Sequence, residues 1–251
     1  MAKVANSGVV LKYKQCQCIT TPEPRTLNLE PIIMKHRCFF FIVFFLIISR
    51  PTLAEEPSDY LTITGPCNLE FPRDHGAHPG YRTEWWYYTG NLRSQNGDLY
   101  GFQLTFFRSQ ISPPGADKTW PDPPSAWRTQ QIYLAHAAVS DIAGKRHLQT
   151  ELVAREALSM AGVLLRPPET VVFLKNWSAR IGAEVQVLNV DTDEFSYELT
   201  LKSLKPLVLH GRAGYSLKGS SPERASCYYS YTRLAVEGQL TLGGKTMAVR
   251  G

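Results

Sequence analysis

The sequence lacks the catalytic motifs that most often identify an enzyme class. It contains no nucleophile elbow, no Walker loop, no Rossmann glycine fingerprint and no HExxH zinc motif. Each of these motifs holds a nucleophile, a phosphate or a metal at a fixed spacing, so their absence removes the common hydrolase and nucleotide-enzyme classes. We therefore predict neither a cofactor nor a bound metal.

The chain carries no excess of either charge from residue 55 onward. The sequence has 27 Lys and Arg against 22 Asp and Glu, but seven of the basic and two of the acidic residues precede residue 55. From there onward the two signs are balanced, at twenty residues each. A balanced surface attracts a polyanion only weakly, and we expect no nucleic-acid partner.

No apolar run is suited to crossing a bilayer. The run at residues 38–48 has eleven residues, whereas a transmembrane helix needs about 20. A basic stretch at 34–37 precedes it, and Thr52 and Ala54 are small residues of the kind found at a cleavage site. This pattern predicts a cleaved signal peptide at residues 34–54 and a periplasmic or secreted protein, with an uncleaved anchor as the alternative.

A signal peptide normally stands at the N-terminus, which affects how the rest of the chain is divided. Residues 1–33 are predicted to be a wrongly assigned, disordered upstream extension, with Met34 as the true start. Residues 55–70 would lead into one folded domain at residues 71–251.

Cysteine is scarce after the predicted cleavage site, where only Cys67 and Cys227 remain. An exported protein meets an oxidising environment, in which two thiols can pair. Sequence spacing does not place their Cα atoms within bridging distance, so the paired and free states both stay open.

Hydrophobic and polar residues alternate through much of the chain after residue 70. The alternation at residues 100–108, 195–203 and 234–242 predicts half-buried antiparallel strands. Asn-Gly at 96–97 and Gly-Gly at 243–244 predict tight hairpins between strands. Short strands at hairpin spacing favour an all-β fold, either a barrel or a sandwich.

Three segments depart from this pattern. Residues 111–127 contain five prolines, which cannot donate to a strand ladder, and must form a loop. Residues 150–162 are the one candidate for a short helix. The last predicted strand runs almost to Gly251 and would leave an open sheet edge, so we expect the chain to be truncated, or to be half of a larger barrel pair.

Residues 71–90 combine acidic, basic and aromatic side chains at unusual density. A strand here divides its side chains between two faces, with Glu84, Trp86 and Tyr88 on one and Trp85, Tyr87 and Thr89 on the other. A carboxyl group among aromatic rings tends to have a raised pKa, which would make Glu84 a proton donor at neutral pH. The alternative is a structural salt bridge from Glu84 to Arg73 or Arg82.

Histidines and tyrosines supply the other candidate site residues. His75 and His136 are candidates for orienting a water molecule, although a buried histidine is more often a satisfied core residue. His75 and His78 lie three apart, but no third metal ligand accompanies them. Tyr229 and Tyr231 are aromatic candidates for contacting a ligand or for packing in a barrel wall.

The motifs that identify a family are the block FPRDHGAHPGYRTEWWYYTGNL, then YGFQLTFFR, IYLAHAAVSD, NWSARI, PLVLHGRAGYSLKG and CYYSYTRLAVEGQLTL. Together they resemble the AttH/CrtC group of lipocalin-like proteins, which includes the carotenoid 1,2-hydratases. The resemblance runs from about Phe71 to Gly251. It implies a lipocalin-like antiparallel β-barrel, with a second similar barrel following or interrupted by the end of this chain.

Two functions follow from the residues and the resemblance. The first is a hydratase-like addition of water to a carbon–carbon double bond of an isoprenoid or lipid-like ligand, with Glu84, His136 and His75 as catalytic residues. The expected ligand-contacting residues are Trp85, Trp86, Tyr87, Tyr88, Tyr229 and Tyr231. The second is a carrier that binds the apolar ligand without turnover, or a secreted hydrolase of unknown substrate. An apolar ligand would also be consistent with peripheral membrane association.

Overall fold

The computed structural model describes residues 9–15, 60–116, 120–222 and 224–251. Within these ranges the chain forms fifteen strands and one 3-10 turn at Arg73–His75. The strands are β1 Val9–Gln15, β2 Thr83–Ser94, β3 Leu99–Gln110, β4 Gln131–Asp141, β5 Arg146–Arg155, β6 Ala161–Arg166, β7 Glu169–Leu174, β8 Trp177–Ile181, β9 Val185–Asp191, β10 Phe195–Ser203, β11 Val208–Leu209, β12 Tyr215–Leu217, β13 Ala225–Tyr231, β14 Leu234–Leu242 and β15 Lys245–Arg250.

Strand β2 is the branch point of an antiparallel sheet. It pairs with β3 over almost its full length, with β1 through Thr83–Thr89, and with β15 only at Arg93 and Ser94. From β15 the sheet continues through β14, β10, β9, β8 and β7 to β6, and from β3 it continues through β4 to β5. Because β4 and β5 approach β7, the sheet curls into a nearly closed barrel. The predicted all-β barrel is confirmed.

The alternating pattern in the sequence accounts for the strands that enclose the core. The stretches at 100–108, 195–203 and 234–242 form β3, β10 and β14, and one side chain in two along β10 is buried. Both predicted hairpins also form. Gly243 and Gly244 have φ angles of 58° and 76°, a backbone conformation that is left-handed and that glycine adopts at little cost.

The candidate helix at residues 150–162 is wrong, because this segment is split between β5 and β6. Strand β5 pairs with β4 from Arg146 to Arg155, so its backbone groups are satisfied by the neighbouring strand. Its half-buried and exposed side chains alternate with a period of two, and Leu148 and Leu152 pack against the core. Pairing and packing therefore override the local helical tendency.

The N-terminal predictions are only partly within the described ranges. Inside the segment expected to be disordered, Val9–Gln15 forms β1 and pairs with β2 on one side and β13 on the other. The predicted signal peptide at residues 34–54 lies outside the described residues, and export stays a prediction. Over the ranges that are described, no helix is both long and apolar enough to span a membrane.

A disulfide between Cys67 and Cys227 answers the question that the sequence left open. It joins the segment before β2 to strand β13, across 160 residues of chain, with the two Cα atoms 5.9 Å apart. The backbone N–H of Cys67 also donates to the carbonyl of Ala213 at 2.9 Å. The segment that precedes β2 is therefore attached covalently to β13.

The size of the loop that the disulfide closes predicts its effect on stability. Replacing both cysteines, Cys67→Ser with Cys227→Ser, should lower the free energy of unfolding by about 2–5 kcal/mol, because the unfolded chain regains conformational entropy. Thermal unfolding with and without reductant measures this loss. The reduced parent should unfold at the same midpoint as the double variant. The midpoint of the double variant should be the same with and without reductant. The prediction would be contradicted if the reduced parent and the double variant both unfolded at the same midpoint as the oxidised parent.

Candidate functional site

His75 lies at the centre of a small cluster of aromatic polar groups. Its side chain is buried, with Nδ1 2.8 Å from the hydroxyl of Tyr229 and Nε2 3.4 Å from the hydroxyl of Tyr231. Its backbone carbonyl accepts a hydrogen bond from Nε1 of Trp86 at 2.9 Å. Three of the residues predicted for the site, together with His75 itself, are thus brought together by the fold.

Burial determines the protonation of the two tyrosines. Desolvation raises the pKa of Tyr229 well above its usual value and also raises that of Tyr231, because a buried phenolate would lose its hydration. Both hydroxyls therefore remain protonated at neutral pH. They can donate to or accept from His75, but they are weaker acids than a tyrosine in water.

A cleft of about 680 Å³ opens beside this cluster. His75 and Tyr231 belong to its lining, together with the polar residues Glu184, Lys202, Ser203 and Lys205, and the rest of the lining is apolar. The apolar lining residues are Phe71, Pro72, Pro168, Ala183, Leu204, Pro206 and Leu207. Two of these, Phe71 and Leu204, are 40% and 53% exposed, so large hydrophobic side chains face solvent at the entrance.

Glu84 does not line this cleft. Its carboxylate is fully buried, and Nε of Arg108 donates to Oε2 at 2.8 Å. On the other side Nδ1 of His78 lies 2.7 Å from Oε1, and the backbone N–H of His78 donates to Oε2 at 2.6 Å. Nε2 of His78 in turn lies 2.5 Å from Oδ1 of Asp74. This chain of groups is called the Glu84 network below.

All three nitrogens of the Arg108 guanidinium donate hydrogen bonds in the same network. Its Nη2 donates to the carbonyl oxygens of His78 and Tyr81 at 3.0 and 2.6 Å, and its Nη1 donates to Oε1 of Gln131 at 2.6 Å. A buried guanidinium with these partners stabilises the charged form of the carboxylate that it faces. The geometry therefore corresponds to the structural salt bridge that the sequence left as an alternative, with Arg108 in place of Arg73 or Arg82.

The remaining predicted residues are divided between the two faces of the sheet. Tyr88 lies inside the barrel and donates to Oε1 of Gln186 at 2.9 Å, and burial raises its pKa. Trp85 and Tyr87 are only half-buried, on the opposite face of β2. His136 lies on an outer face, with a side chain 42% exposed and Nε2 3.4 Å from Glu151. The fold does not bring His136 into the His75 cluster.

His75 and His78 share a loop but have different environments. His75 contacts tyrosine hydroxyls, whereas His78 contacts two carboxylates. Nowhere in residues 60–116, 120–222 or 224–251 do three or more His, Cys, Asp or Glu side chains come together as a metal site.

Sequence reasoning missed the role of Arg108, although a signal for it was present. Tyr100, Phe102, Leu104 and Phe106 form the inward face of β3, and Arg108 continues the same alternation. A basic residue that falls on a buried face needs an acidic partner, and β2 pairs Glu84 directly opposite Arg108. The cleft residues from β10 and the loop after it carried no comparable signal.

Comparison with known proteins finds a matching family model and similar solved structures. The AttH-like family model matches residues 62–251. A crystal structure of a candidate AttH protein from Nitrosomonas europaea superposes with a TM-score of 0.65 and 31% identity, covering 76% of this chain and 55% of that one. Kievitone hydratase from Nectria haematococca superposes with a TM-score of 0.47 and 11% identity, covering 76% and 51%. This chain thus spans about half the length of each protein. No curated protein matches the sequence.

The Glu84 network predicts a stability effect that separates a structural role from a catalytic one. Glu84→Gln removes the charge that faces Arg108 and leaves a buried guanidinium uncompensated, which should cost about 3–5 kcal/mol of unfolding free energy. Chemical denaturation measures the loss. The matched control is Glu151→Gln, whose 70%-exposed carboxylate should contribute less than about 1 kcal/mol. Equal stability of both variants would show that the ion pair does not hold the fold.

Proposed function

The chain belongs to the AttH-like family, and on that premise we propose that it is an exported protein that binds an apolar, isoprenoid or lipid-like ligand in the cleft beside His75. The single observation that carries this proposal is the exposure of Phe71 and Leu204 at the entrance of a cleft of about 680 Å³. Ligand pockets of soluble proteins have this size and are predominantly apolar. A bound hydrocarbon would cover both side chains and gain the corresponding hydrophobic free energy.

Export is supported by two features of the chain. The sequence at residues 34–54 has the composition of a signal peptide. The disulfide between Cys67 and Cys227 fits a compartment in which thiols are oxidised. Export accounts for both features at once.

Binding in the cleft is tested with a matched pair of leucines. Leu204 and Leu217 are 53% and 57% exposed, but only Leu204 lines the cleft. Leu204→Glu should weaken binding of an apolar fluorescent probe, such as an anilinonaphthalene dye, by about tenfold or more, because it introduces a charge at the apolar entrance. Leu217→Glu should leave the affinity unchanged. Equal affinities in the two variants would place the ligand elsewhere.

Water addition is the second function that we propose, and it rests on the contact between Tyr231 and His75 in the cleft lining. Hydration of an alkene requires an acid that protonates one carbon, and a base that takes a proton from the water attacking the other. Tyr231 lines the cleft and its hydroxyl lies 3.4 Å from Nε2 of His75, so this pair could deliver one proton and recover the other. The net change adds H and OH across the double bond and leaves the pair as it began.

Turnover is tested by product mass. After incubation with an acyclic isoprenoid, a hydratase should yield a product heavier by one water, and Tyr231→Phe should lower the rate by about 10²-fold or more while keeping the ring. Tyr133→Phe is the matched control, since Tyr133 is buried and no described group accepts from or donates to its hydroxyl. Recovery of unaltered ligand from the parent protein would leave the carrier function alone standing.

A further inference from the structure

Two lysines line the cleft. Lys202 is near the end of β10, and Lys205 is in the loop that follows this strand. Both are exposed, and neither forms a salt bridge within the parts of the chain that the structure describes. Their ammonium groups are therefore available to a bound molecule.

The remaining polar groups do not cancel this charge. Glu184 is the one acidic residue of the cleft lining, and among the described residues it forms no salt bridge with either lysine. Its backbone carbonyl accepts a hydrogen bond from the N–H of Ser203 at 3.1 Å, which fixes its loop beside β10. With two lysines against one glutamate, the rim carries a formal charge of +1 when His75 is neutral.

The positive rim adjoins the apolar entrance directly. Leu204 lies between Ser203 and Lys205 in sequence, and Pro206 and Leu207 follow. A ligand that covers Leu204 with a hydrocarbon chain would therefore bring its end close to an ammonium group. An uncharged hydrocarbon would form no ion pair with either lysine.

Resting on the proposed function, we infer that the ligand of this cleft ends in a carboxylate, held at the rim by Lys202 and Lys205. A carboxylate is preferred over a phosphate because the cleft lining contains no arginine fork, and two single ammonium groups suit a monoanion. The ligand class is thus a long-chain hydrocarbon or isoprenoid acid. The apolar lining supplies most of the affinity, and the lysines select the acid over the corresponding alcohol.

A pair of ligands that differ only at the end group tests this inference. Oleate and oleyl alcohol have the same chain, and both compete with a fluorescent probe at concentrations below those at which they aggregate. The parent protein should bind oleate about five- to tenfold more tightly than the alcohol, and added salt should reduce the preference. In Lys202→Gln with Lys205→Gln the two ligands should bind equally, through a loss of oleate affinity alone.

Lys245→Gln is the matched control, since Lys245 is also an exposed lysine but does not line this cleft. It should retain the full preference for oleate. Equal binding of both ligands by the parent would overturn the inference while leaving apolar binding intact. Failure of both ligands to bind would overturn the proposed function, and the inference with it. A preference for oleate that persists in the double lysine variant would also overturn the inference, because the lysines would not be its cause.

Discussion

The buried carboxylate of Glu84 is the interaction on which the arrangement of this molecule depends. Its Oε2 accepts a hydrogen bond from Nε of Arg108, which lies in β3. His78, in the segment that precedes β2, contacts both of its oxygens. A single charge therefore binds two parts of the fold to each other. Because charges without partners are costly in a protein interior, this arrangement is strongly favoured over any in which the segment swings away.

The consequence for the site is geometric. His75 lies three residues before His78, and the disulfide at Cys67 fixes the same segment from its other side. Between these two attachments His75 has little freedom, and it is held against Tyr229 and Tyr231 of β13. The same strand carries Cys227, so one element provides both the attachment and the partners of the histidine. The position of His75 in the cleft lining thus depends on contacts that lie outside the cleft.

The sequence predicted the architecture well and the site unevenly, for physical reasons. Alternation identifies a strand because it reflects a local requirement, namely that each strand bury one face. It also placed Glu84 on a buried face correctly. What it could not identify was the partner, since the approach of Arg108 depends on the register of β3 against β2. His136 shows the opposite case, because alternation does not say which of two faces is inside, and its side chain is 42% exposed.

For the function proposed above, the chemistry of the cleft favours binding of a ligand without turnover over its conversion. Protonation of an isolated alkene demands a strong acid, and burial raises the pKa of Tyr229 and Tyr231, which makes them weaker acids than free tyrosine. The carboxyl group that was expected to supply the proton lies instead beside a guanidinium that stabilises its ionised form. By contrast, binding of a hydrocarbon requires only an apolar surface that removes it from water, and much of the cleft lining is apolar. In the proposed function, binding would therefore use groups already in place, whereas hydration would require Tyr231 to donate a proton although burial raises its pKa.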